Sequence, residues 1–530
     1  MLRIFCDKSI APAPSDTKNC TKFADVPNSG ALLRMNKRTQ DFLLLTLLSL
    51  IAFWAHNTVL SPDIMESRNL VSAREMALDG HWLVPTLNGE LRLEKPPLPT
   101  WLTALTWHIR PDSLALQRGM AGLAGWLLVV SMYRSVLLLR GRRAALFSAL
   151  VLLTCYQVVL MGRTASWDIY CHAFTMAALP FILRGLQGAH PWRNWLTAGF
   201  LVGLSFMSKG PISLYALLLP FLLSLCIDRK VIGVTSRERE ELGNQEARPK
   251  NQWLSLAAGV LLCVVVSAWW YIAVHLLRPE AVEAVVAKES GNWTSYNTRP
   301  WWYYWRFFLE AGVWAPLVLW ALIEPLAARF SAKFASRRGL WLPWWWTVLA
   351  VVLLSLFPEK KMRYLLPVMM PMAMLAGTWI AAEEGRWRGR LIAIVAGVFF
   401  MAEVLLLPWG YRCFFGNPQR RSLTLLRNDE RIEGLPFLCE AAPAPRPEIM
   451  WAAGRLLHPT DLTCADTIAA HLPCVVLTHE FPVQALPSDL WQQADSLCLG
   501  RFDDNNRPPT YKRRYRPYFI HYATLLTPKP

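Results

Sequence analysis

Apolar runs long enough to cross a lipid bilayer recur along this chain and constrain its fold more than any other feature. A membrane-spanning helix needs about 20 predominantly apolar residues. Runs of roughly that length occupy residues 41–61, 113–139, 143–162, 168–186, 194–208, 211–227, 253–276, 307–327, 341–357, 363–381 and 390–409. A shorter apolar segment, 96–109, is expected to form an interfacial or re-entrant helix. The pattern predicts an all-α polytopic membrane protein with about 11 to 13 transmembrane helices.

The composition agrees with a membrane protein. Of the 530 residues, 54% are hydrophobic and 18% are charged, whereas soluble domains carry about 25% charged residues. The net charge of +17 is not accompanied by a basic arm, a zinc-ligand spacing or an RNA-binding motif. The positive residues lie mainly in short loops between apolar runs, which is typical of membrane topology signals. We therefore predict no nucleic-acid partner.

The loop charges orient the predicted spans. Lys37 and Arg38 precede the first span and place it with its start in the cytoplasm. Four later basic loops then fall on the same side without adjustment, at 140–143, 228–252, 329–338 and 386–390. The opposite, outer side receives 62–112, 163–168, 208–211, 277–306, 358–361 and the tail.

The same pattern divides the chain into three parts. Residues 1–40 are predicted to be a disordered cytoplasmic extension, in which Met35 is the expected translation start. Residues 41–410 form the membrane domain, and 62–112 is its first outer loop, with a short amphipathic helix predicted at 66–79 on the membrane surface. Residues 411–530 are less apolar and are predicted to form a small outer α/β domain.

Cysteine usage gives little support for a structural metal site. The chain has 11 cysteines and no C-x-x-C pair, so a structural zinc site is not expected. The tail carries Cys439, Cys464, Cys474 and Cys498, and an outer location permits disulfides there. The spacing does not define their pairing.

Two acidic residues stand where apolar runs meet the outer side. Glu66 directly follows the first span, and a carboxylate at that level is costly unless it is paired or functional. Asp168 heads an apolar segment, with His172 one helical turn further along. Each residue also has a structural alternative: Glu66 as a solvated loop acid, Asp168 as a partner of the helix dipole and His172 as a packed polar residue.

Cationic residues gather at the same outer level. Lys209 lies in a Ser-Lys-Gly-Pro turn between two spans, and the segment 359–364 adds Lys360 and Arg363. Cations here suit the phosphate or pyrophosphate of a lipid headgroup. The alternative is that the lysines are snorkelling anchors. Because positive charge is depleted on the outer side, we favour phosphate contact.

Acids and cations on one face suit transfer of a sugar from a lipid phosphate. A carboxylate takes a proton from the acceptor or holds a metal, and cations stabilise the phosphate that leaves. Nearby anions also stabilise the cation-like glycosyl centre. The sequence contains no Walker A motif and no Rossmann glycine fingerprint after a strand, which agrees with a donor carried by a lipid.

The first outer segment also carries a specific pattern, which reads Glu66-Ser-Arg68, Ala73-Arg-Glu-Met76, Trp82-Leu-Val-Pro85, Asn88-Gly89 and Glu94-Lys-Pro-Pro97. It resembles the first periplasmic loop of the aminoarabinose lipid A transferase family, which is related to the protein O-mannosyltransferases and has the GT-C fold. Asp168, Lys209-Gly-Pro211 and Arg363-Tyr-Leu-Leu-Pro367 resemble later landmarks of that family in the same order. The resemblance covers residues 41–410.

This resemblance implies a bacterial inner-membrane enzyme of the cell envelope, with its active site facing the periplasm. It would transfer a sugar from a polyprenyl phosphate to lipid A, a protein or a glycan. The family's acidic pair, Asp-Glu, reads Met65-Glu66 here, so its first acid is missing. Glu66 and the nearby Asp63 are therefore the candidate bases.

Other site residues also follow from the resemblance. Glu94 and Lys95 match family cavity residues implicated in metal and donor-phosphate contact, and a divalent metal is the one cofactor expected. His275 and Glu289 flank another outer loop and are further candidates for the same cavity. The complete prediction is catalytic Glu66, Asp168 and Asp63, phosphate-binding Lys95, Lys209, Lys360, Arg363 and Arg68, and metal-binding Glu94 and His275. Arg68 and Arg74 are also expected to orient the first loop.

Two other classes of membrane protein were weighed against this prediction. A transporter or flippase of lipid-linked sugars would carry charges in the middle of its spans and internal repeats. Here the strong acids sit at span ends, and neither half of the chain resembles the other. An enzyme like the O-antigen ligases would favour one large outer loop rich in Arg and His, whereas here the outer region is divided between an early loop and the tail.

Overall fold

Helices dominate the chain up to about residue 410. The computed structural model describes residues 36–228, 252–328, 339–382, 386–510 and 514–529. In this part the helices are α1 (Lys37–Trp54), α2 (Ile64–Asp79), α3 (Leu98–Leu105), α4 (Leu114–Leu153), α5 (Tyr156–Gly162), α6 (Trp167–Leu186), α7 (Pro191–Lys209), α8 (Leu219–Ile227), α9 (Gln252–Leu277), α10 (Pro279–Ser295), α11 (Ala315–Ala328), α12 (Trp341–Leu356), α13 (Leu366–Ala381) and α14 (Arg386–Leu405). Short 3-10 helices at Phe307–Trp314 and Met362–Leu365 precede α11 and α13.

Each of the eleven predicted spans is occupied mainly by helix, which confirms the all-α polytopic class. By length and composition, five helical stretches can cross a membrane individually: Leu114–Leu153, Trp167–Leu186, Gln252–Leu277, Trp301–Ala327 and Met362–Ala381. The pair Trp387–Leu405 and Leu407–Phe415 would make a sixth span but is bent by 56°. The α8 and α12 regions are apolar but shorter. The number of helices that cross a bilayer therefore stays a prediction.

Several predicted boundaries differ from the structure for identifiable reasons. The helix α1 begins at Lys37, where Asn36 accepts a hydrogen bond from the Arg38 amide as an N-cap. Residues 37–40 are therefore helical, although we predicted them to be disordered; residues 1–35, including the expected start at Met35, lie outside the described part. Between the second and third predicted spans, the backbone turns at Gly141, whose φ of 79° suits glycine.

The first outer loop folds into two helices and a hairpin. The strands β1 (Thr86–Leu87) and β2 (Glu90–Leu91) are antiparallel, and Asn88 and Gly89 between them both have positive φ, as type I′ turns require. The predicted helix at 66–79 is confirmed as α2. It packs against α3 and the C-terminal domain, and most of its residues are buried; its location at the membrane surface stays a prediction.

The C-terminal part forms the predicted small α/β domain. Its five-stranded sheet has the order β4-β3-β5-β7-β6. The helix α15 (Leu407–Gly410) follows α14 and belongs with it to the bent pair. The strands of the C-terminal domain are β3 (Phe437–Glu440), β4 (Leu457–Thr460), β5 (Cys474–Thr478), β6 (Ala494–Asp503) and β7 (Ile520–Pro528), and its short helices are α16 (Pro447–Ala453), α17 (Ala465–Ala469), α18 (Pro482–Ala485) and α19 (Leu490–Gln493). The strands β3, β4 and β5 are parallel, whereas β7 runs antiparallel to both of its neighbours.

The disulfides considered for this domain are not formed. All nine cysteines in the described ranges are free. Cys439 and Cys474 are buried in β3 and β5, and Cys464 and Cys498 are exposed. In the register of the two strands Cys439 lies opposite Leu477, so it does not face Cys474.

The C-terminal domain packs directly on the first outer loop. The side chain of Asn88 pairs with both backbone groups of Leu457 on the edge strand β4, at 2.7 and 2.8 Å. Arg74 of α2 donates to the carbonyl of Met450 at 3.4 Å, and Val71 joins the domain's hydrophobic core. The position of the loop is therefore determined partly by residues more than 350 positions later in the chain.

Candidate active site

The helices α6 and α7 place an acid and a lysine side by side. They are consecutive and pack against each other as an antiparallel pair, so the start of α6 meets the end of α7. Asp168 lies in the first turn of α6, and Lys209 is the last residue of α7. The next residue, Gly210, has a φ of +74°, which suits glycine and ends the helix directly after the lysine.

Asp168 and Lys209 form a buried ion pair. The lysine Nζ donates to Oδ1 of Asp168, and the two residues are only 3% and 9% exposed. Arg363 and His172 are further electrostatic neighbours of this carboxylate. Within the described ranges Nδ1 of the buried His172 has no hydrogen-bond partner. Three of the residues considered from the sequence, Asp168, Lys209 and Arg363, are therefore brought together.

An aromatic ring connects this pair with a second lysine. Nζ of Lys209 lies 5.1 Å from the ring centroid of Tyr364, and Nζ of Lys361 lies 5.7 Å from the same centroid. Lys361 also forms an ion pair with Glu359 and lies 5.1 Å from the Tyr296 ring. Two ammonium groups thus share one tyrosine beside Asp168, an arrangement suited to holding an anion.

Lys95 of the first loop joins the same electrostatic environment. Its ammonium interacts with Lys209 and Arg92 as well as with Glu289 and Glu94. Burial, opposed by Glu289, lowers the pKa of Lys95 below its usual value. Its closest described carboxylate is Glu289 of α10, with Nζ and Oε2 3.7 Å apart. The predicted phosphate contacts Lys95 and Lys209 therefore belong to one cluster.

Two other predicted phosphate contacts, Lys360 and Arg68, make their described contacts outside this cluster. Nζ of Lys360 donates to the carbonyl of Phe357 just after α12, and the residue is buried. Its neighbour Lys361, which we did not select from the sequence, faces the cluster instead. Arg68 has Met65 Sδ at 4.0 Å, and its own carbonyl accepts a hydrogen bond from Arg92. The structure thus favours Lys361 over Lys360 as a ligand for an anion.

Glu66 has a different environment from Asp168. Its two oxygens accept hydrogen bonds from Nε and Nη2 of Arg118, each at 2.7 Å, and Oε1 also accepts from the Ala165 amide at 2.9 Å. Arg118 in turn donates to the carbonyl of Leu60. The carboxylate therefore joins α2, α4 and the segment before α6, which favours an anchoring role.

Asp63 is the N-cap of α2. Its Oδ1 accepts hydrogen bonds from the amides of Met65 and Glu66 at 2.9 and 2.8 Å. Both bonds satisfy amides of the first helical turn that would otherwise lack partners. The geometry thus accounts for Asp63 through helix capping.

The described residues do not fit the predicted metal site. They contain no group of three or more His, Cys, Asp or Glu side chains placed to hold an ion. Glu94 pairs with Lys288 of α10 at 3.2 Å, and His275 is exposed on α9. The pairs Glu94–Lys288 and Lys95–Glu289 instead connect the first loop to α10.

The sequence reasoning missed two buried arginines that organise this end of the molecule. Arg118 lies within a predicted span, and Arg163 pairs with Glu403 of α14 at 2.7 Å with both side chains buried. A charged residue inside an apolar run indicates a buried partner. That signal marks Arg118 and Glu403 in the sequence but does not identify what each one contacts.

Comparison with known proteins agrees with this arrangement. Residues 94–235 match the family model described as dolichyl-phosphate-mannose-protein mannosyltransferase. The undecaprenyl phosphate-alpha-4-amino-4-deoxy-L-arabinose arabinosyl transferase 1 of Pseudomonas fluorescens is 25% identical over 74% of this chain and 69% of its own length. The corresponding Pectobacterium carotovorum protein is 26% identical over 67% of this chain, and the match spans 60% of that protein.

A solved structure shows the same fold. The crystal structure of ArnT from Cupriavidus metallidurans bound to undecaprenyl phosphate superimposes with a TM-score of 0.62 at 15% identity. The superposition covers 92% of this chain and 98% of that one. This likeness confirms the expected GT-C fold and the multi-pass membrane architecture. The chain is therefore a membrane glycosyltransferase with the GT-C fold that resembles the undecaprenyl phosphate aminoarabinose transferases in sequence and ArnT in fold.

Proposed function

We propose that this chain transfers a sugar from a polyprenyl-phosphate donor to a periplasmic acceptor, which is lipid A, a protein or a glycan. The observation that most supports this proposal is a cluster of charged side chains. In it Asp168 contacts Lys209, and Lys95, Lys361 and Arg363 lie close by. It combines Asp168 with several cations, of which Lys95 and Lys361 also pair with Glu289 and Glu359, at one end of the helical domain next to the first outer loop.

The cations suit the donor's phosphate. A sugar linked to polyprenyl phosphate is a phosphodiester with one negative charge, and the polyprenyl phosphate that leaves carries a second. Positive groups placed where that charge develops stabilise the transition state more than the ground state. Lys95, Lys209 and Lys361 supply such groups from three separate segments, so the phosphate would be held from several sides.

Asp168 suits the general base. It lies beside the cations, and Lys209 is its one hydrogen-bond donor from a side chain in the described ranges. A base must reach the acceptor's proton, and a carboxylate with a single lysine partner has acceptor capacity left. The carboxylate of Glu66 already accepts three hydrogen bonds, so we assign it to positioning the first loop.

The proposed periplasmic orientation follows from the charge asymmetry. Arg140, Arg142 and Arg143 surround the turn at Gly141, and Arg184 and Arg193 flank the connection between α6 and α7. These connections lie at the helix ends opposite Asp168 and Lys209. The excess of basic residues in such short connections favours the cytoplasm, which leaves the acid and lysine cluster on the periplasmic side.

The test is sugar transfer by the purified full-length chain in liposomes with a labelled polyprenyl-phosphate sugar. We expect label to move to an acceptor preparation from the envelope, and we expect the Lys95→Met variant to transfer poorly. Mass spectrometry of lipid A, glycoproteins and surface glycans from cells that lack the gene then identifies the acceptor by the sugar that disappears. Movement of intact donor across the liposome membrane without transfer would instead indicate a flippase.

A further inference from the structure

The buried carboxylate of Asp168 is paired differently from three other buried carboxylates of the membrane domain. In the described ranges Glu66, Asp41 and Glu403 all pair with arginine, at 2.7 Å each. Glu66 and Asp41 are held by two guanidinium nitrogens and accept a further hydrogen bond from an amide or from Tyr133. Asp168 is held by a lysine, a compact charge on a flexible stem.

Lys209 also has a second attractive environment within reach. Its Nζ lies 5.1 Å from the centroid of the Tyr364 ring, which Lys361 contacts from its own position. The ammonium of Lys95 is a further electrostatic neighbour. Each of the three lysines has a carboxylate partner, which is Asp168 for Lys209, Glu289 for Lys95 and Glu359 for Lys361. A phosphate that arrives among these lysines would compete with the carboxylates, and at Lys209 it would compete with Asp168.

We propose that Lys209 occupies the Asp168 carboxylate until the donor phosphate binds, and that the phosphate then takes Lys209 and releases Asp168 to act as the base. This inference rests on the proposed function and adds a regulatory step at the same site. The enzyme without donor keeps its base paired, and the base becomes free only when the leaving group is in place.

The charges balance through the transfer step. Asp168 removes the proton from the acceptor's attacking oxygen, and that oxygen forms the new bond to the anomeric carbon. The bond between the anomeric carbon and the phosphate oxygen breaks, and its electron pair stays on the phosphate. Asp168 becomes neutral while the polyprenyl phosphate gains one negative charge, and Lys209, which moved to the phosphate when the donor bound, stabilises that added charge.

The structural alternative is that the pair only holds α6 and α7 together. The two roles predict opposite effects on ligand affinity. If binding must first break the ion pair, removing the carboxylate strengthens phosphate binding. If the pair is only structural, removing the carboxylate leaves a buried lysine without its partner and weakens or does not change binding.

The experiment measures binding of undecaprenyl phosphate to the purified full-length chain in nanodiscs. We expect Asp168→Asn to bind about tenfold more tightly than the wild type, in the usual range for coupled equilibria, and to lose transfer activity. The matched control is Asp41→Asn, which removes a buried carboxylate from an ion pair with the partly exposed Arg142, near the connection at Gly141. It should bind undecaprenyl phosphate with unchanged affinity.

A second variant keeps the inference testable if Asp168→Asn does not fold. Lys209→Arg retains the positive charge but can hold Asp168 with two nitrogens, so we expect severalfold weaker binding of undecaprenyl phosphate. Equal or tighter binding by Lys209→Arg, or unchanged or weaker binding by folded Asp168→Asn, would overturn the inference and leave the proposed function standing. A wild-type chain that binds no undecaprenyl phosphate would overturn both.

Discussion

Two buried carboxylates at the same end of the helical domain show how the surrounding residues decide whether a carboxylate anchors the structure or is available to react. Glu66 in the first outer loop accepts three hydrogen bonds, two of them from Arg118. Asp168 at the start of α6 accepts one from Lys209, next to a group of further cations. The residues have the same chemistry and nearly the same exposure.

The difference lies in what each carboxylate can still do. Three of the roughly four acceptor sites of the Glu66 carboxylate are occupied. Taking a proton would also disrupt its buried ion pair with Arg118, at a cost of several kcal/mol. Asp168 has fewer partners and borders the cluster of cations that suits the donor. A substitution at Asp168 should therefore affect turnover, whereas one at Glu66 should affect stability first.

The largest expected effect is that of Asp168→Asn on turnover. Because asparagine cannot take the acceptor's proton, we expect kcat for sugar transfer to fall by about 10²–10⁴-fold, the usual contribution of a general base. Thermal unfolding of the purified variant should show that the protein is still folded. Retention of more than half of wild-type kcat by Asp168→Asn would remove the base role and with it the contrast between the two acids.

The second effect is that of Glu66→Gln on stability. The neutral amide leaves Arg118 buried without its counter-charge, so we expect the free energy of unfolding to fall by about 3 kcal/mol. The midpoint of thermal unfolding measures this change. The double variant Glu66→Gln with Arg118→Met should recover part of the loss, because it also removes the unpaired charge. A stable Glu66→Gln variant with no turnover would instead support the catalytic role that the sequence suggested.

The helical framework of the molecule could be predicted from the sequence because its signals are local. An apolar run of bilayer length defines a helix without knowledge of its neighbours, and the shorter apolar segment 96–109 contains α3, which begins directly after Pro97. The less apolar tail forms the predicted α/β domain, in which β5 is a short buried strand. The predicted helix boundaries differ from the observed ones where a cap or a bend ends the helix, as at the N-cap Asn36 and at the bend after Leu405.

The contacts within the site could be predicted only in part. Asp168 and Lys209 stand out as charged residues at the ends of apolar runs, and Lys95 was selected from the family resemblance. The three residues do cluster. The choice between Lys360 and Lys361 depends on the direction of the turn before α13, which no local pattern specifies. The partner of Glu66 lies 52 positions away within a predicted span, so only the packing of α4 on the first loop reveals it.

A third prediction concerns pH and Lys95. Burial lowers the pKa of Lys95 against the opposing effect of Glu289, so this lysine loses its charge at a lower pH than an exposed lysine. Affinity for undecaprenyl phosphate should therefore fall as pH rises through that lowered pKa, by roughly tenfold if one charged hydrogen bond is lost. Binding measured across alkaline pH should show the fall at higher pH in Lys95→Arg, and an identical profile in both proteins would contradict the phosphate contact.

The smallest expected effect tests whether the N-cap of α2 has any catalytic part. Asp63→Ala removes the acceptor for two backbone amides and should lower the free energy of unfolding by about 1 kcal/mol. Asparagine is an equally good N-cap but cannot act as a base, so Asp63→Asn should keep both the stability and the turnover of the wild type. If both variants lost turnover equally, the carboxylate of Asp63 would be acting chemically, and the single base at Asp168 would no longer account for the reaction. The side chain of Asp63 lies only three residues from Glu66, so that result would move the reacting centre from the ends of α6 and α7 to the start of the first outer loop.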